Sequence, residues 1–224
     1  MLWWKGSPEI VLSGGADGSP VDYPTTFLID HDRFRDMKIV AKAGKNKFRY
    51  GSLPVEYTAT TVLTDPIVFQ GQVYPAGASV TSVFNWTQRR VGYEFDAVAN
   101  AGGYLGAFID FNFNTANVKL TGPLPAGEQT LERTMTVPTV GGAFRGYVAS
   151  KSSVTAEFTI VKFRHENTEW KFGDFDAYLT SNFGRNFGAL LGFRRLTSDF
   201  PVDPALGTGS LKLKGPYLGF VARF

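Results

Sequence analysis

Two histidines are the residues of this chain best suited to proton chemistry, and both have acidic neighbours. His31 lies between Asp30 and Asp32, and His165 precedes Glu166. A histidine oriented by a carboxylate can serve as a general base, provided that a hydroxyl nucleophile is in reach. Neither histidine has a serine beside it in the sequence, so the pattern supplies two of three parts. Solvated loop histidines carry the same neighbours, and no catalytic residue is assigned. Asp30, Asp32 and Asp36, and Asp199 with Asp203, offer oxygens suited to a hard cation, but their spacing is not that of a calcium loop. Gly102-Gly103 and Gly141-Gly142 lack the following Lys-Ser/Thr of a phosphate cradle. Cys is absent, which excludes disulfides and thiolate chemistry. No metal ligand and no cofactor are read from these residues.

A larger set of charges recurs at a spacing of two inside apolar runs. Arg90, Glu94 and Asp96 alternate with Val91, Tyr93, Phe95 and Ala97. Asp110 alternates with Ile109, Phe111 and Phe113; Glu157 with Phe158 and Ile160; Asp174 and Asp176 with Phe175, Ala177 and Leu179. Lys38, Arg49, Arg145 and Arg194 sit in similar runs. A period of two belongs to a strand with unlike faces. These eleven charges are of both signs and nearly balanced. Such balance is what burial demands, because an isolated buried charge costs several kcal/mol.

The elements that must position these charges are strands throughout. Trp3, Trp4 and Ile10 to Leu12 start the first, with Pro8 awkward inside it. Gly14 to Phe34 reads as a loop. Strand runs follow around Met37–Ala41, Phe48–Thr61, Val91–Ala97, Leu105–Phe113, Arg145–Val148, Val154–Ile160, Phe175–Leu179, Phe187–Phe193 and Leu218–Ala222. Pro54 predicts a bulge. Asp65 to Ser79 is a long connection with a small hairpin about Gln70-Gly71. Tight turns fall near Gly44, Ala101, Lys151 and Gly184. Longer connections fall near Gly18, Gly71, Pro125 and Phe200 to Gly209, with a short one near Glu166. The total is about ten antiparallel strands in one domain, residues 1–224, with short turns at one end and long loops at the other.

At 224 residues, with 25 Gly, 20 Phe and 9 Tyr, the composition suits such a β-structure. The net charge of +3 is spread without a basic block, so nucleic acid is not an expected partner. No apolar stretch is long enough for a membrane helix. Met1 to Gly6 has no basic region leading into an apolar one, so any export signal is expected to have been removed.

In a soluble barrel the apolar face points inward. Here the opposite faces mix paired charges with Gly, which weakens an exposed strand but suits a narrow interior. The expectation is therefore an apolar exterior and a charged interior. Trp3, Trp4, Trp86, Tyr104, Trp170, Phe172, Phe183 and Phe187 are candidates for aromatic girdles at the two ends of the apolar band. The last run ends on an aromatic residue, with Phe220 and Phe224 on one face. In its alternation, loop asymmetry and terminal Phe224, nearly the whole chain resembles small bacterial outer-membrane β-barrels of the OmpA/OmpW-like kind.

That resemblance implies a monomeric transmembrane up-and-down barrel with periplasmic turns and extracellular loops. Outer-membrane lipids and the barrel-assembly machinery would be its partners, and Phe220 and Phe224 its assembly signal. The role expected from the residues is non-enzymatic, structural or surface-interacting, because balanced charges inside about ten strands suit a salt-bridged plug. Three alternatives remain open: a narrow passive channel, a lipid A-modifying enzyme using one of the histidines, and a soluble lipocalin-like barrel that binds an apolar ligand.

Overall fold

The computed structural model describes residues 1–13, 20–28, 32–165, 168–203 and 207–224. Ten long strands form the wall: β1 (Leu2–Ser13), β3 (Asp32–Ala43), β4 (Asn46–Val62), β7 (Ser79–Asn100), β8 (Gly103–Thr121), β9 (Glu128–Ala149), β10 (Ser152–His165), β11 (Thr168–Phe183), β12 (Phe187–Asp203) and β13 (Gly207–Ala222). Each is antiparallel to its neighbours. β13 returns to β1, from Leu2↔Gly219 to Leu12↔Gly209, and closes the barrel. Closure leaves no free edge in the turn-end half of the wall.

The tight turns are where the sequence puts them. Gly44, between β3 and β4, and Gly184, between β11 and β12, have φ of 61° and 75°, a left-handed conformation that favours glycine. Both chain termini lie at this end, where the Met1 amine donates to the Phe220 carbonyl at 2.9 Å. At the far end, β2 (Pro20–Asp22) pairs with β1 and leads into the single helical turn α1 (Tyr23–Thr26). The hairpin expected about Gln70-Gly71 is present as β5 (Ile67–Phe69) and β6 (Gln72–Tyr74).

Several local expectations are corrected. The described parts of the Phe200 to Gly209 stretch are strand: β12 runs to Asp203 and β13 starts at Gly207, with a register shift between Pro201 and Asp203. Within the presumed Gly14 to Phe34 loop, β3 has already begun at Asp32. Pro54 causes no bulge, since β4 stays in register with β7 from Asn46↔Phe95 to Val62↔Ser79. It lies beyond the last β3 pairing, Met37↔Ser52, so β4 has no ladder on that side to lose there. A shift occurs instead between Asp96 and Val98, where two successive residues turn outward.

The strands are much longer than their apolar-out runs, and the pattern inverts partway along them. On β8, Leu105, Ile109, Phe111 and Phe113 are exposed while Asp110, Asn112 and Asn114 are buried. Beyond Asn114 the same alternation continues with opposite chemistry: Ala116, Val118 and Leu120 are buried, and Thr115, Asn117 and Lys119 face outward. On β7 the switch falls at Arg89, with Val91, Tyr93 and Phe95 exposed on one side of it and Phe84 and Trp86 buried on the other. β12 switches between Phe193 and Arg195, and β13 between Leu218 and Lys214. The barrel thus has a turn-end half with an apolar outside and a loop-end half with an apolar inside.

The wall also divides in the loop-end half. β3 and β4 part after Met37↔Ser52, and β9 and β10 part after Thr159↔Gly141. Beyond those points β4, β7, β8 and β9 form one sheet, and β10 to β13 with β1, β2 and the start of β3 form another. Their facing sides share a core that includes Ile10, Leu12, Val80, Phe84, Trp86, Val118, Leu196, Leu211 and Leu213. The β3–β4 seam is filled from within by aromatics. Phe34 meets Tyr57 edge-on at 5.5 Å, and Tyr23 lies 5.7 Å from Phe84. Burial pushes the Tyr23 hydroxyl above its ordinary pKa, although Ser82 donates to it at 3.2 Å.

Candidate functional site

The turn-end half encloses a connected ionic interior. Each of the eleven charges singled out from the sequence points into it. Arg194 on β12 is central. It donates to both oxygens of Asp174 on β11, at 2.8 and 2.6 Å, and to Asp36 on β3 at 2.6 Å. This fork-on-carboxylate geometry is among the stronger forms of charged hydrogen bond. Arg49 on β4 bridges Glu94 at 2.9 Å and Glu157 at 2.6 Å, so it ties β7 to β10 across the interior. Arg90 reaches Asp174 at 3.4 Å. Lys38 pairs with Asp176, which also accepts from the Tyr217 hydroxyl at 2.6 Å. Arg145 donates to Thr155 at 2.9 Å and lies beside Tyr178, whose hydroxyl donates to Glu157 at 3.1 Å.

The structure adds three charges that the sequence reading left out of this set. Lys47 bridges Glu94 and Asp96, each at 2.7 Å, and Lys42 reaches Asp96 at 3.1 Å. Asp36, read as part of an acidic loop cluster, is instead buried against Arg194. The signal for the lysines was present, since Lys42 shares parity with Lys38 and Lys47 with Arg49. With them, among the described residues, the network joins seven cations (Lys38, Lys47, Arg49, Arg90, Arg145, Arg194 and, half-exposed at its rim, Lys42) and seven carboxylates (Asp36, Glu94, Asp96, Asp110, Glu157, Asp174 and Asp176). Aromatic rings complete it. Lys47 sits 3.3 Å from the Tyr104 ring centre, and Arg49 4.0 Å from that of Phe108.

Asp110 is the weak point. It is fully buried, and neither carboxylate oxygen has a hydrogen-bond partner. Arg90 and Arg49 approach it only to 3.8 and 4.0 Å. Small residues make room for the network. At Gly192 a Cβ would press on the Tyr217 ring, with the hydroxyl oxygen 2.6 Å away.

The other candidates fare differently. His31 and Asp30 lie outside the described residues, as do the side chains of Asp32, His165 and Asp203. Asp199 accepts from Ser210 at 2.7 Å. Among the described residues, no group of His, Asp and Glu is placed to hold a metal ion. The aromatic girdle is corrected: Trp4, Trp86 and Phe172 are buried inside, and Tyr104 faces the interior lysine. Only Trp3, Phe183 and Phe187 of the described set turn outward. The side chain of Trp170 lies outside the described residues. Phe220 is exposed on β13, edge-on to Trp3 at 6.2 Å, and Phe224 lies two residues past the end of that strand.

Chemically, the arrangement among the described residues is a charge-balanced, hydrogen-bonded ionic interior. Comparison with family models and with curated proteins returns no match to this chain.

Proposed function

We propose that the protein is an integral outer-membrane β-barrel of a bacterium, with the turn-end half in the bilayer and the loop-end half outside it. One observation carries this reading: the inversion of the apolar pattern along the strands. Exposed Leu, Ile, Phe, Tyr and Val circle the turn-end half, and this apolar exterior stops where the interior becomes apolar. A water-soluble barrel has no reason to bury its charges and expose its aromatics in one half only. On β8 the band from Leu105 to Phe113 is about 27 Å along the strand, or roughly 20 Å tall at a tilt near 40°, close to the apolar height of membrane barrels. Its partners in this reading are outer-membrane lipids and the barrel-assembly machinery, and the barrel acts as a monomer.

The role is structural or surface-interacting and not enzymatic. The loop-end half has its own apolar core and a polar outside, and so presents a rigid double-sheet surface beyond the membrane. Electrophoresis tests the membrane reading directly. The folded protein should require detergent and migrate differently before and after boiling. A monomer that is folded and soluble without detergent would sink it. His31→Ala and His165→Ala variants should leave the mass of lipid A unaltered in cells expressing the protein; a mass change that depends on either histidine would restore the enzyme reading.

A further inference from the structure

The charged side chains beyond the apolar band at the turn end are all basic. Lys45 lies in the β3–β4 turn, Lys151 in the β9–β10 turn and Arg185 in the β11–β12 turn, and Arg223 follows β13. Strand order therefore sets one cation at four of the five joints of this end, and the fifth, the β7–β8 turn, carries no charge. Lys45, Lys151 and Arg185 are exposed, and among the described residues none of the three makes an ion pair. Arg223 is half-buried and donates to Asn182 at 2.6 Å. No Asp or Glu lies in these turns or at an outward position of the band. Glu94 and Asp96, on β7, point inward, where Lys47 and Lys42 hold them. The outside of the loop-end half differs, because Glu56, Asp65, Glu128 and Glu132 are exposed there. Each cation of the turn end also lies within three residues of an exposed apolar side chain of the band. These are Phe48 for Lys45, Val148 for Lys151, Phe183 and Phe187 for Arg185, and Phe220 for Arg223, all 59–64 % exposed.

We propose that this ring of cations binds the phosphate groups of anionic phospholipid in the leaflet on the turn side. The inference rests on the membrane reading above and adds a ligand class to it. Two features favour a lipid over an acidic soluble partner. The cations encircle the rim and do not gather on one side, which matches a layer of headgroups that surrounds the barrel. Each also borders side chains that the band turns toward acyl chains, so its stem covers apolar surface while its charge reaches the level of the phosphates. No acidic side chain on this rim competes with phosphate for them.

The full chain, folded in neutral detergent, is mixed with equimolar phosphatidylglycerol and phosphatidylcholine, and retained lipid is counted by native mass spectrometry. The protein should retain phosphatidylglycerol about tenfold better or more. The triple variant Lys45→Gln, Lys151→Gln, Arg185→Gln should lose that preference. A matched triple variant at the far margin of the band, Lys5→Gln, Arg35→Gln, Arg195→Gln, removes the same charge and should keep it. All six residues are exposed, so both variants should show the wild-type difference in mobility before and after boiling. If the wild-type protein lacks that difference and folds without detergent, the membrane reading fails and the ring falls with it. Detergent-dependent folding with equal retention of both lipids overturns the ring alone and leaves it to an acidic soluble partner. An unchanged preference in the first triple variant also overturns it, as does an equal loss in both. Displacement of the lipid by excess inorganic phosphate would make the site one for the free anion and overturn the lipid.

Discussion

Arg194 and Asp110 show how unequal the members of one ionic interior are. Arg194 is 2 % exposed and holds two carboxylates at hydrogen-bonding distance. Removing one partner of such a group leaves uncompensated buried charge, at a cost of about 3–5 kcal/mol. Arg194→Met should therefore shift the urea midpoint of the folded barrel strongly, and Asp174→Asn nearly as much. Asp110→Asn should change stability by less than about 1 kcal/mol, because Asp110 accepts no hydrogen bond and Arg49 and Arg90 keep their other carboxylates. A large loss for Asp110→Asn would mean that its two distant ion pairs dominate. Glu9, outside the interior, behaves conventionally. Lys214 and Lys212 hold its carboxyl below the ordinary value. Its stabilisation is complete above the ordinary carboxylate pKa and is lost as the pH falls through the lowered one. It is exposed, so Glu9→Gln should alter stability at neutral pH by well under 1 kcal/mol.

Along a single strand, the physics reverses while the period does not. On β8, Ile109 and Asn117 both face outward, the first within the apolar band and the second beyond it. With the band against lipid, Ile109→Arg should cost about 2–4 kcal/mol in vesicle-refolding titrations, and Asn117→Arg less than 1. Equal small costs at both sites would place the two positions in the same solvent. On β7 the reversal gives Phe84 the role that Phe95 lacks: Phe84 is fully buried, and Phe95 is exposed. Phe84→Ala should cost about 3–5 kcal/mol by opening a cavity in the loop-end core. The same denaturation titration reads both changes.

At the scale of the whole molecule, two unlike interiors lie in series along the barrel. The ionic interior occupies the turn-end half, and the aromatic and aliphatic core occupies the loop-end half. A ten-strand barrel is narrow to begin with, well short of the 16 to 18 strands of open channels. The protein should therefore be silent in a planar bilayer at neutral pH. Discrete conductance steps from wild-type protein would show that the interiors yield.

The sequence by itself determined the local chemistry of this barrel. Period-two alternation marked the strands, Gly44 and Gly184 marked tight turns, and the balance of charges beside Gly marked an interior. Those signals are short-range, set by backbone geometry and by the cost of burying charge. The loop-end half of each strand was harder to see. Stretches such as Thr115–Thr121 and Glu128–Val140 carry weaker alternation, with Thr and Asn outward in place of Phe and Leu. Only the tertiary structure decided that Asp36 meets Arg194 from 158 residues away and that Arg49 joins Glu94 to Glu157. Parity fixes which face a residue takes, but which residues share a level depends on the stagger between strands, and that stagger exists only once the barrel closes.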